Sequence, residues 1–372
     1  MWLYYTIYIL ILLTGILEVL PVGGNQKRKV IIFWCIFLTV FAGIRWENGT
    51  DWFQYYEHFK QSDWSNIFNY DRYGNGRETL EPGFVFLNAL IRHLFGEFYI
   101  YNIIITGFIQ YTNYRFSKHF SPKHPLFLFI FISWSQAVCF PVRSHLSQAI
   151  CYWAYIYLQK KQPIKCIITM LLAYSIHHQC IALLPLFFVG YVHIKDSVFI
   201  ILYVILGFST ILLQEYFAAF MLMFDNDVAE KAYKYTQYET DTGGKAFGVM
   251  GLGLNFFFTL IYLFVRDKLS LRGNHWYNTL LNSYLIYMII LFAFSKGMGD
   301  LTRLTFLFLP AQAILFTSAI SYFVDVKGGI LKKIAIIFFF LYGAYKVSNI
   351  GSWVFFEEAN IPYKTIFGYY LK

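Results

Sequence analysis

The stretch NQKRKVIIFWCIFLTVFAGIRWENGTDWFQYY, residues 25–56, decides the fold class. It opens on a basic segment at 25–29, continues through an apolar run at about 30–44 and ends in a polar segment that begins at Arg45. An apolar run flanked by Lys and Arg is typical of a transmembrane helix whose basic end stays in the cytoplasm. We therefore predict a cytoplasmic loop at 25–29, a span at about 30–44, and Arg45 at the outer face of the membrane.

The composition extends this interpretation to the whole chain. Its 372 residues are 58% hydrophobic and 14% charged, whereas about a quarter of the residues of a soluble protein are charged. Repeated apolar runs predict an all-α polytopic membrane protein with about 11–13 transmembrane helices in a single integral-membrane domain, residues 1–372. Residues 1–20 lack a basic start and a cleavage site, and are expected to form a retained first helix.

The charge and the cysteines exclude other classes of protein. The net charge of +9 is spread over short loops, which indicates membrane orientation and attraction to lipid headgroups, with no nucleic-acid partner. The five cysteines lie in apolar context without CxxC spacing. They are expected to be core residues, with neither a disulfide framework nor a zinc site.

The distribution of basic residues predicts the topology. It places the N-terminus and the C-terminal tail outside, with outer loops at 45–81 and 214–246. The segment at 81–95 is too short to span and is predicted to be an interfacial or re-entrant helix that begins at Pro82. The run at 164–192 is too long for one span, so a polar break at 175–179 is expected to separate an outgoing helix from a shorter returning one.

This topology gathers polar residues at the outer face. Charges at a membrane boundary are costly and usually face a cavity, a partner or a ligand. Arginines suit phosphate, with which they form bidentate hydrogen bonds, and carboxylates or imidazoles can act as a general base. We therefore predict a site for a lipid phosphate on the outer leaflet. Its candidate residues are Arg45, Asp51, Glu81, Arg143, His177, His178, Asp300 and Arg303.

Several candidates also have a simpler structural interpretation. Arg45 can be an interfacial anchor, and Asp51 can cap a turn. Glu81 can cap the helix that follows it, and Arg303 can pair with Asp300. Arg143 has no neighbouring acid in the sequence, which makes it the strongest phosphate candidate.

The remaining motifs are weaker. His177 and His178 can be a hydrogen-bonded helix break, and adjacent histidines lack the i,i+4 spacing of a helical metal pair. The glycines at 243–255 follow no strand and enter a membrane helix, so they favour close helix packing over a phosphate loop. The sequon at 48–50 is a weak pattern.

Five motifs in succession resemble the EpsG family, whose members are polytopic bacterial proteins of exopolysaccharide and capsule synthesis. They are RWENGTDWFQYY (45–56), EPGFVFLNALI (81–91), RSHLSQAI (143–150), SIHHQCIALLPL (175–186) and Arg303 at the start of a late helix. The most specific part is R-x-x-x-G-T-D-x-x-x-Y, which ends at Tyr55, followed by E-P-G-[FY]. The family usually has one histidine where this chain has two, which leaves open the choice between His177 and His178. It also tends to have R-Q-x-L-A at 143–147, so only Arg143 and Leu146 are carried over there.

The resemblance implies a polymerase related in role to the O-antigen polymerases called Wzy. Such enzymes join repeat units carried on undecaprenyl pyrophosphate at the outer face of the bacterial cytoplasmic membrane. The donor is lipid-linked, no nucleotide sugar is used, and the lipid pyrophosphate is the leaving group. Other partners expected from the resemblance are membrane lipid, a chain-length regulator and a flippase of the same pathway.

The candidate residues divide between the two substrates. Arg143 and Arg303, with Arg45, are expected to hold the diphosphate and stabilise the charge that develops as it departs. Asp51, Glu81 or His177 is expected to orient or deprotonate the acceptor hydroxyl. Neither metal nor cofactor is expected, because arginines neutralise the leaving group. The remaining predicted substrate-binding residues are Tyr55, His178 and Asp300.

Alternative functions make different demands on the charge pattern. A flippase or exporter of lipid-linked oligosaccharide should carry charges along a path through several helices, whereas here they gather near one face. An acyltransferase needs a histidine that meets a cytoplasmic acyl donor, and His177 is predicted on the opposite side. A scaffold for a synthesis complex stays open as a further alternative.

Overall fold

The computed structural model describes residues 2–72, 79–136, 143–212, 249–294, 303–326, 329–348 and 359–370. These residues form helices and two isolated β-bridges but no strand, which confirms the all-α class. Three 3₁₀ turns, Thr14–Glu18, Trp64–Asn66 and His178–Leu183, accompany the α-helices. The described α-helices are α1 (Trp2–Leu13), α2 (Gly24–Gly43), α3 (Trp52–Gln61), α4 (Pro82–Phe95), α5 (Phe98–Phe120), α6 (Pro125–Gln136), α7 (Arg143–Gln159), α8 (Pro163–Ile176), α9 (Leu186–Val189), α10 (Asp196–Leu212), α11 (Val249–Lys268), α12 (His275–Phe294), α13 (Thr305–Asp325), α14 (Gly329–Ser348) and α15 (Ile366–Tyr370).

The chain divides into two compact units, one of Met1–Ile181 with Phe323–Lys372 and the other of Ala182–Tyr322. Within the second unit, α9 packs on α12. The Asn282 amide of α12 donates to the carbonyl oxygens of Val189 and Val192 at 2.5 and 2.7 Å. The Tyr203 hydroxyl joins α10 to α11 by donating to the Leu252 carbonyl at 2.6 Å. The single integral-membrane domain stays a prediction.

In the first unit, α2 and α5 pack antiparallel. A Cβ on Gly43 would lie 2.5 Å from Ile103, while further along α2 the Cys35 thiol donates to the Gln110 carbonyl at 3.3 Å. Position 43 therefore meets the start of α5 and position 35 meets its middle. The first turn of α2 consequently lies beside the end of α5.

Helix α5 carries a stripe of buried polar side chains, while part of its apolar surface is exposed. Ile104, Phe108 and Tyr111 are 39%, 36% and 48% exposed. A helix in a soluble protein normally exposes its polar side chains and buries its apolar ones, and exposed apolar surface of this kind marks a contact with lipid or with a partner. The buried polar stripe follows helical spacing and consists of Asn102, Thr106, Gln110, Asn113 and Ser117.

One helix in the described part of the chain, α13, combines the length and the hydropathy of a membrane span. The polar stripe of α5 and the short length of α4 and α8 explain why such helices do not meet both criteria. The number of spans, 11–13, stays a prediction.

A buried ionic cluster joins four segments of the first unit. The Glu18 carboxylate contacts Lys27 Nζ at 2.7 Å and His124 Nδ1 at 3.2 Å, and it accepts from the Leu126 N–H at 2.7 Å. The other ring nitrogen of His124 lies 3.1 Å from Asp325. The predicted topology assigns Lys27, His124 and Asp325 to the cytoplasmic side, so these contacts are consistent with it.

One predicted boundary is wrong, and one predicted loop falls outside the described residues. The segment at 25–29, predicted as a loop, forms the first turns of α2, where the Gln26 side chain accepts from the Gly23 N–H at 3.2 Å. The predicted loop at 45–81 contains α3, and the predicted loop at 214–246 lies outside the described residues. The interruption of the run at 164–192 is confirmed, since α8 ends at Ile176 and a 3₁₀ turn follows.

Candidate functional site

Glu81 occupies the N-cap position of α4 but does not cap it. Its backbone is extended, Pro82 follows as the first helical residue, and its side chain makes no capping hydrogen bond. Proline suits this position because its missing N–H would have no helical partner. The interpretation of Glu81 as a simple cap is therefore wrong, and its carboxylate is used elsewhere.

Gly83 explains where that carboxylate goes. A Cβ on this residue would lie 2.3 Å from Ser175 Oγ and 2.8 Å from the Ser175 carbonyl oxygen. Only glycine permits such a close approach of two backbones. The start of α4 therefore touches the end of α8, and Glu81 comes beside His177.

The Glu81 carboxylate contacts three groups from two other segments. One oxygen forms an ion pair with Arg143 Nη1 at the start of α7. The other lies 2.8 Å from His177 Nδ1 and accepts from the His178 N–H at 3.3 Å. The side chains of Glu81 and Arg143 are 6% and 9% exposed, whereas that of His177 is 23% exposed. His177 is therefore the most accessible of the three side chains.

Aromatic side chains form one wall of the site. Tyr55 projects from α3, and its hydroxyl accepts a hydrogen bond from the Arg143 guanidinium. The guanidinium carbon of Arg143 lies 5.8 Å from the centre of the Phe84 ring, within the range of a cation–π contact. Arg143 thus has an acid, a phenol and a ring as neighbours, and all three contacts orient it.

Glu81 and His177 differ in protonation state. Burial alone would raise the pKa of the Glu81 carboxyl, but the hydrogen bond with His177 and the charge of Arg143 outweigh it and hold the pKa at about 2. Burial and the charge of Arg143 lower the pKa of His177, although Glu81 acts to raise it. At neutral pH the carboxylate is therefore ionised and the imidazole is neutral.

This arrangement fixes the chemistry that each group can perform. Because an ionised carboxylate only accepts, His177 Nδ1 carries the proton and Nε2 keeps its lone pair. Nε2 can accept a proton from a hydroxyl group, while Glu81 stabilises the imidazolium that results. Arg143 has five N–H donors, so it can bind a further anion while it keeps Glu81 and Tyr55.

The structure distinguishes the two histidines. The ring of His178 is exposed and lies 4.7 Å from the ring of Tyr174, so only its main chain joins the cluster. In the described residues no group of three His, Cys, Asp or Glu side chains is placed to hold a metal ion. Independence from metal and cofactors stays a prediction.

Arg45 belongs to a separate buried cluster. It is fully buried, and its Nε donates to the Ala42 carbonyl at 3.3 Å. The C-terminal segment covers it, since Arg45 forms a β-bridge with Thr365 and the Trp46 N–H donates to the Lys364 carbonyl at 3.1 Å. Burial within the protein argues against an anchor that reaches the membrane surface.

Of the other candidates, Asp51 and Arg303 are among the described residues and Asp300 is not. Asp51 is exposed before α3 and makes no capping hydrogen bond, and the bend there comes from Gly49 at φ +107°. Arg303 is an exposed residue of the second unit that precedes α13. Asp300 is outside the described residues, so its pairing with Arg303 stays a prediction.

Sequence reasoning missed two residues near the site. His58 is buried, with its Nδ1 3.1 Å from the Tyr70 hydroxyl. Burial, followed by the charges of Arg143 and Arg72, lowers the pKa of His58 to about 4. The charge of Arg72 also lowers the pKa of His177. The helical spacing from Tyr55 to His58 could have identified the histidine, because residues three apart share a helix face.

Comparison with known proteins identifies a family. No curated protein and no solved structure matches the chain. The model of the EpsG family matches residues 28–365, a range that includes Tyr55, Glu81, Arg143 and His177. Since the match spans most of the 372 residues, the chain belongs to the EpsG family.

Proposed function

We propose that this protein polymerises oligosaccharide repeat units linked to undecaprenyl pyrophosphate, at the outer face of the bacterial cytoplasmic membrane. Membership of the EpsG family suggests a membrane-associated, polymerase-type role in exopolysaccharide biosynthesis. The exposed apolar faces of its helices support a membrane environment. The observation that carries the proposal is the cluster of Glu81, Arg143 and His177, which joins an anion-binding group to a base.

His177 acts as the general base in this proposal. Its Nε2 takes the proton from the acceptor hydroxyl, and the acceptor oxygen then attacks the anomeric carbon of the donor sugar. Glu81 is unsuited to that role, because a carboxylate with a pKa near 2 is a weak base. Glu81 is instead the positioning residue that holds the tautomer of His177.

Arg143 binds the diphosphate. The bond between the anomeric carbon and the phosphate oxygen breaks as the new glycosidic bond forms, and the lipid diphosphate leaves with the electron pair. A fixed guanidinium stabilises this developing charge. We assign Arg303 to the same diphosphate from the sequence pattern alone. Asp51 stays a candidate for orienting the acceptor hydroxyl, and Tyr55 and Asp300 stay candidate substrate-binding residues.

The test uses purified protein, lipid-linked repeat units and no nucleotide sugar, with glycan length read on a gel. Arg143→Lys keeps the charge but loses the bidentate geometry, and should reduce the rate by about 10²–10³-fold. His177→Ala should abolish elongation, whereas His178→Ala, the matched control, should retain most of it. Normal glycan length with Arg143→Lys and His177→Ala would contradict the proposal, and translocation without elongation would favour the flippase.

A further inference from the structure

An apolar groove runs along the outer surface of the α2–α5 pair. Its volume is about 340 Å³, within the range of ligand-binding clefts. Ile32, Ile36 and Val40 line the α2 side, and Gly107, Tyr111 and Tyr114 line the α5 side. The three aliphatic side chains are 36–61% exposed, so the groove presents hydrocarbon to its surroundings.

Arginines stand at one end of this groove. The guanidinium carbon of Arg28, in the first turns of α2, lies 5.9 Å from the centre of the Tyr114 ring. That of Arg115, near the end of α5, lies 5.8 Å from the Tyr111 ring, and its Nη1 donates to the Tyr111 hydroxyl at 3.2 Å. Both arginines are exposed and each contacts a ring that lines the groove. Antiparallel packing places both arginines at the same end of the groove, where Arg115 also lies 5.7 Å from the centre of the Trp153 ring.

Two more cations adjoin this end. Lys29 follows Arg28 in α2, Lys118 lies one turn after Arg115 in α5, and both are exposed. The acidic residue near the start of α2, Glu18, is already paired with Lys27. The end of the groove is therefore strongly positive, whereas its walls are apolar.

We propose that the groove binds one anionic phospholipid of the cytoplasmic leaflet. An acyl chain lies between α2 and α5, and the phosphate lies at Arg28 and Arg115. The charge complementarity is specific, because a cluster of cations next to an apolar groove matches an anionic headgroup joined to a hydrocarbon chain. The predicted topology puts this end at the cytoplasmic surface, away from the Glu81 site. The proposal requires a membrane but not the polymerase reaction.

Native mass spectrometry of the full-length protein in detergent tests the headgroup. Phosphatidylglycerol and phosphatidylethanolamine with identical acyl chains are the probes, and the wild type should bind phosphatidylglycerol more tightly. Arg28→Ala with Arg115→Ala should weaken phosphatidylglycerol binding by about 30-fold, at about fivefold for each cation near an anionic headgroup. The matched control, Lys160→Ala with Lys165→Ala, removes two exposed cations from α7–α8 and should leave binding unchanged.

A second variant tests the groove itself. A Cβ on Gly107 would lie 3.5 Å from Thr39, an ordinary contact, so Gly107→Ala should bind lipid normally. Gly107→Leu places a larger side chain in the groove and should weaken binding of phosphatidylglycerol at least tenfold. Arg28→Lys with Arg115→Lys keeps the charge and should retain binding, which separates loss of charge from misfolding. Equal affinity of the wild type for the two lipids, or unchanged binding by Gly107→Leu, would overturn the proposal.

Discussion

Replacing Gly83 with alanine tests whether the contact between α4 and α8 builds the site. The new Cβ would lie 2.3 Å from Ser175 Oγ, 2.8 Å from the Ser175 carbonyl oxygen and 2.9 Å from the Ser175 Cβ. The hydroxyl can rotate away, but the carbonyl and the Cβ belong to the end of α8 and cannot. The ends of the two helices must therefore separate.

The geometry sets the size of the effect on stability. Reaching an ordinary contact of 3.4 Å from the carbonyl oxygen requires a separation of about 0.6 Å. Rotating the Ser175 hydroxyl breaks its 2.8 Å hydrogen bond to the Leu172 carbonyl, at about 1 kcal/mol, and overpacking costs about 1–3 kcal/mol. Alanine also stabilises the fold by about 0.4–1 kcal/mol, because it reduces the conformational entropy of the unfolded chain. We expect the free energy of unfolding to fall by about 1–3.5 kcal/mol.

The expected effect on activity is larger than the effect on stability. Separating the helix ends stretches the 2.8 Å contact between Glu81 and His177 towards the limit of a hydrogen bond. His177 then loses the partner that holds its tautomer. A misplacement of this order costs on the order of 10²-fold in rate, so elongation should nearly stop in a protein that is still folded.

The assay combines thermal unfolding with elongation of lipid-linked repeat units. Gly253→Ala is the matched control, because a Cβ there meets nothing within 4 Å, and it should behave as wild type. Adding Ser175→Gly to Gly83→Ala removes two of the three close contacts and should recover part of the activity. Wild-type glycan length and rate with Gly83→Ala alone would refute the argument that this contact positions Glu81.

Two more predictions concern stability. The pKa of His58 is about 4 in the fold and 6.5 in an ordinary histidine, so between those values the unfolded chain takes up a proton that the folded chain does not. Stability should therefore fall by about 3 kcal/mol as the pH drops from 6.5 to 4, and unfolding measured across this range should be flatter for His58→Gln. Asn48 donates to the Asn360 carbonyl at 3.3 Å and accepts from the Lys364 N–H at 3.0 Å. Asn48→Ala should lower the free energy of unfolding by about 1–3 kcal/mol, and an unchanged melting temperature would show that the C-terminal segment is held without Asn48.

The sequence predicted the helical class and three members of the cluster, but not how they meet. Charge alternation along the chain assigned Glu81, Arg143 and His177 to one membrane face. It contains no information on which side chains touch, because that depends on how the helix ends pack. Gly83 is an example, since its role appears only when Ser175 is seen opposite to it.

Arg45 shows the opposite failure. Its position at the end of an apolar run and within a family motif predicted a phosphate ligand or an anchor. The structure buries it under a C-terminal segment more than 300 residues away in the sequence. The local sequence pattern cannot predict this long-range contact, because neither the segment around Arg45 nor the C-terminal segment has a hydrophobic periodicity that would indicate it. The sequon at 48–50 was also judged from local sequence alone. In the structure the C-terminal segment buries its Asn48, whose side chain accepts from the Lys364 N–H.

The mutual arrangement of the three side chains suggests how substrate binding activates the base. Arg143 lowers the pKa of His177, whereas Glu81 raises it. In the proposed reaction a diphosphate neutralises part of the Arg143 charge, which leaves Glu81 and the diphosphate to stabilise a positive imidazole. The pKa of His177 then rises on binding, so the base becomes stronger when the donor is in place. The apparent pKa in the pH profile of kcat should therefore exceed that in the profile of kcat/KM, since the first reports the complex and the second the free enzyme. Identical values in the two profiles would show that Arg143 does not couple the diphosphate to the base.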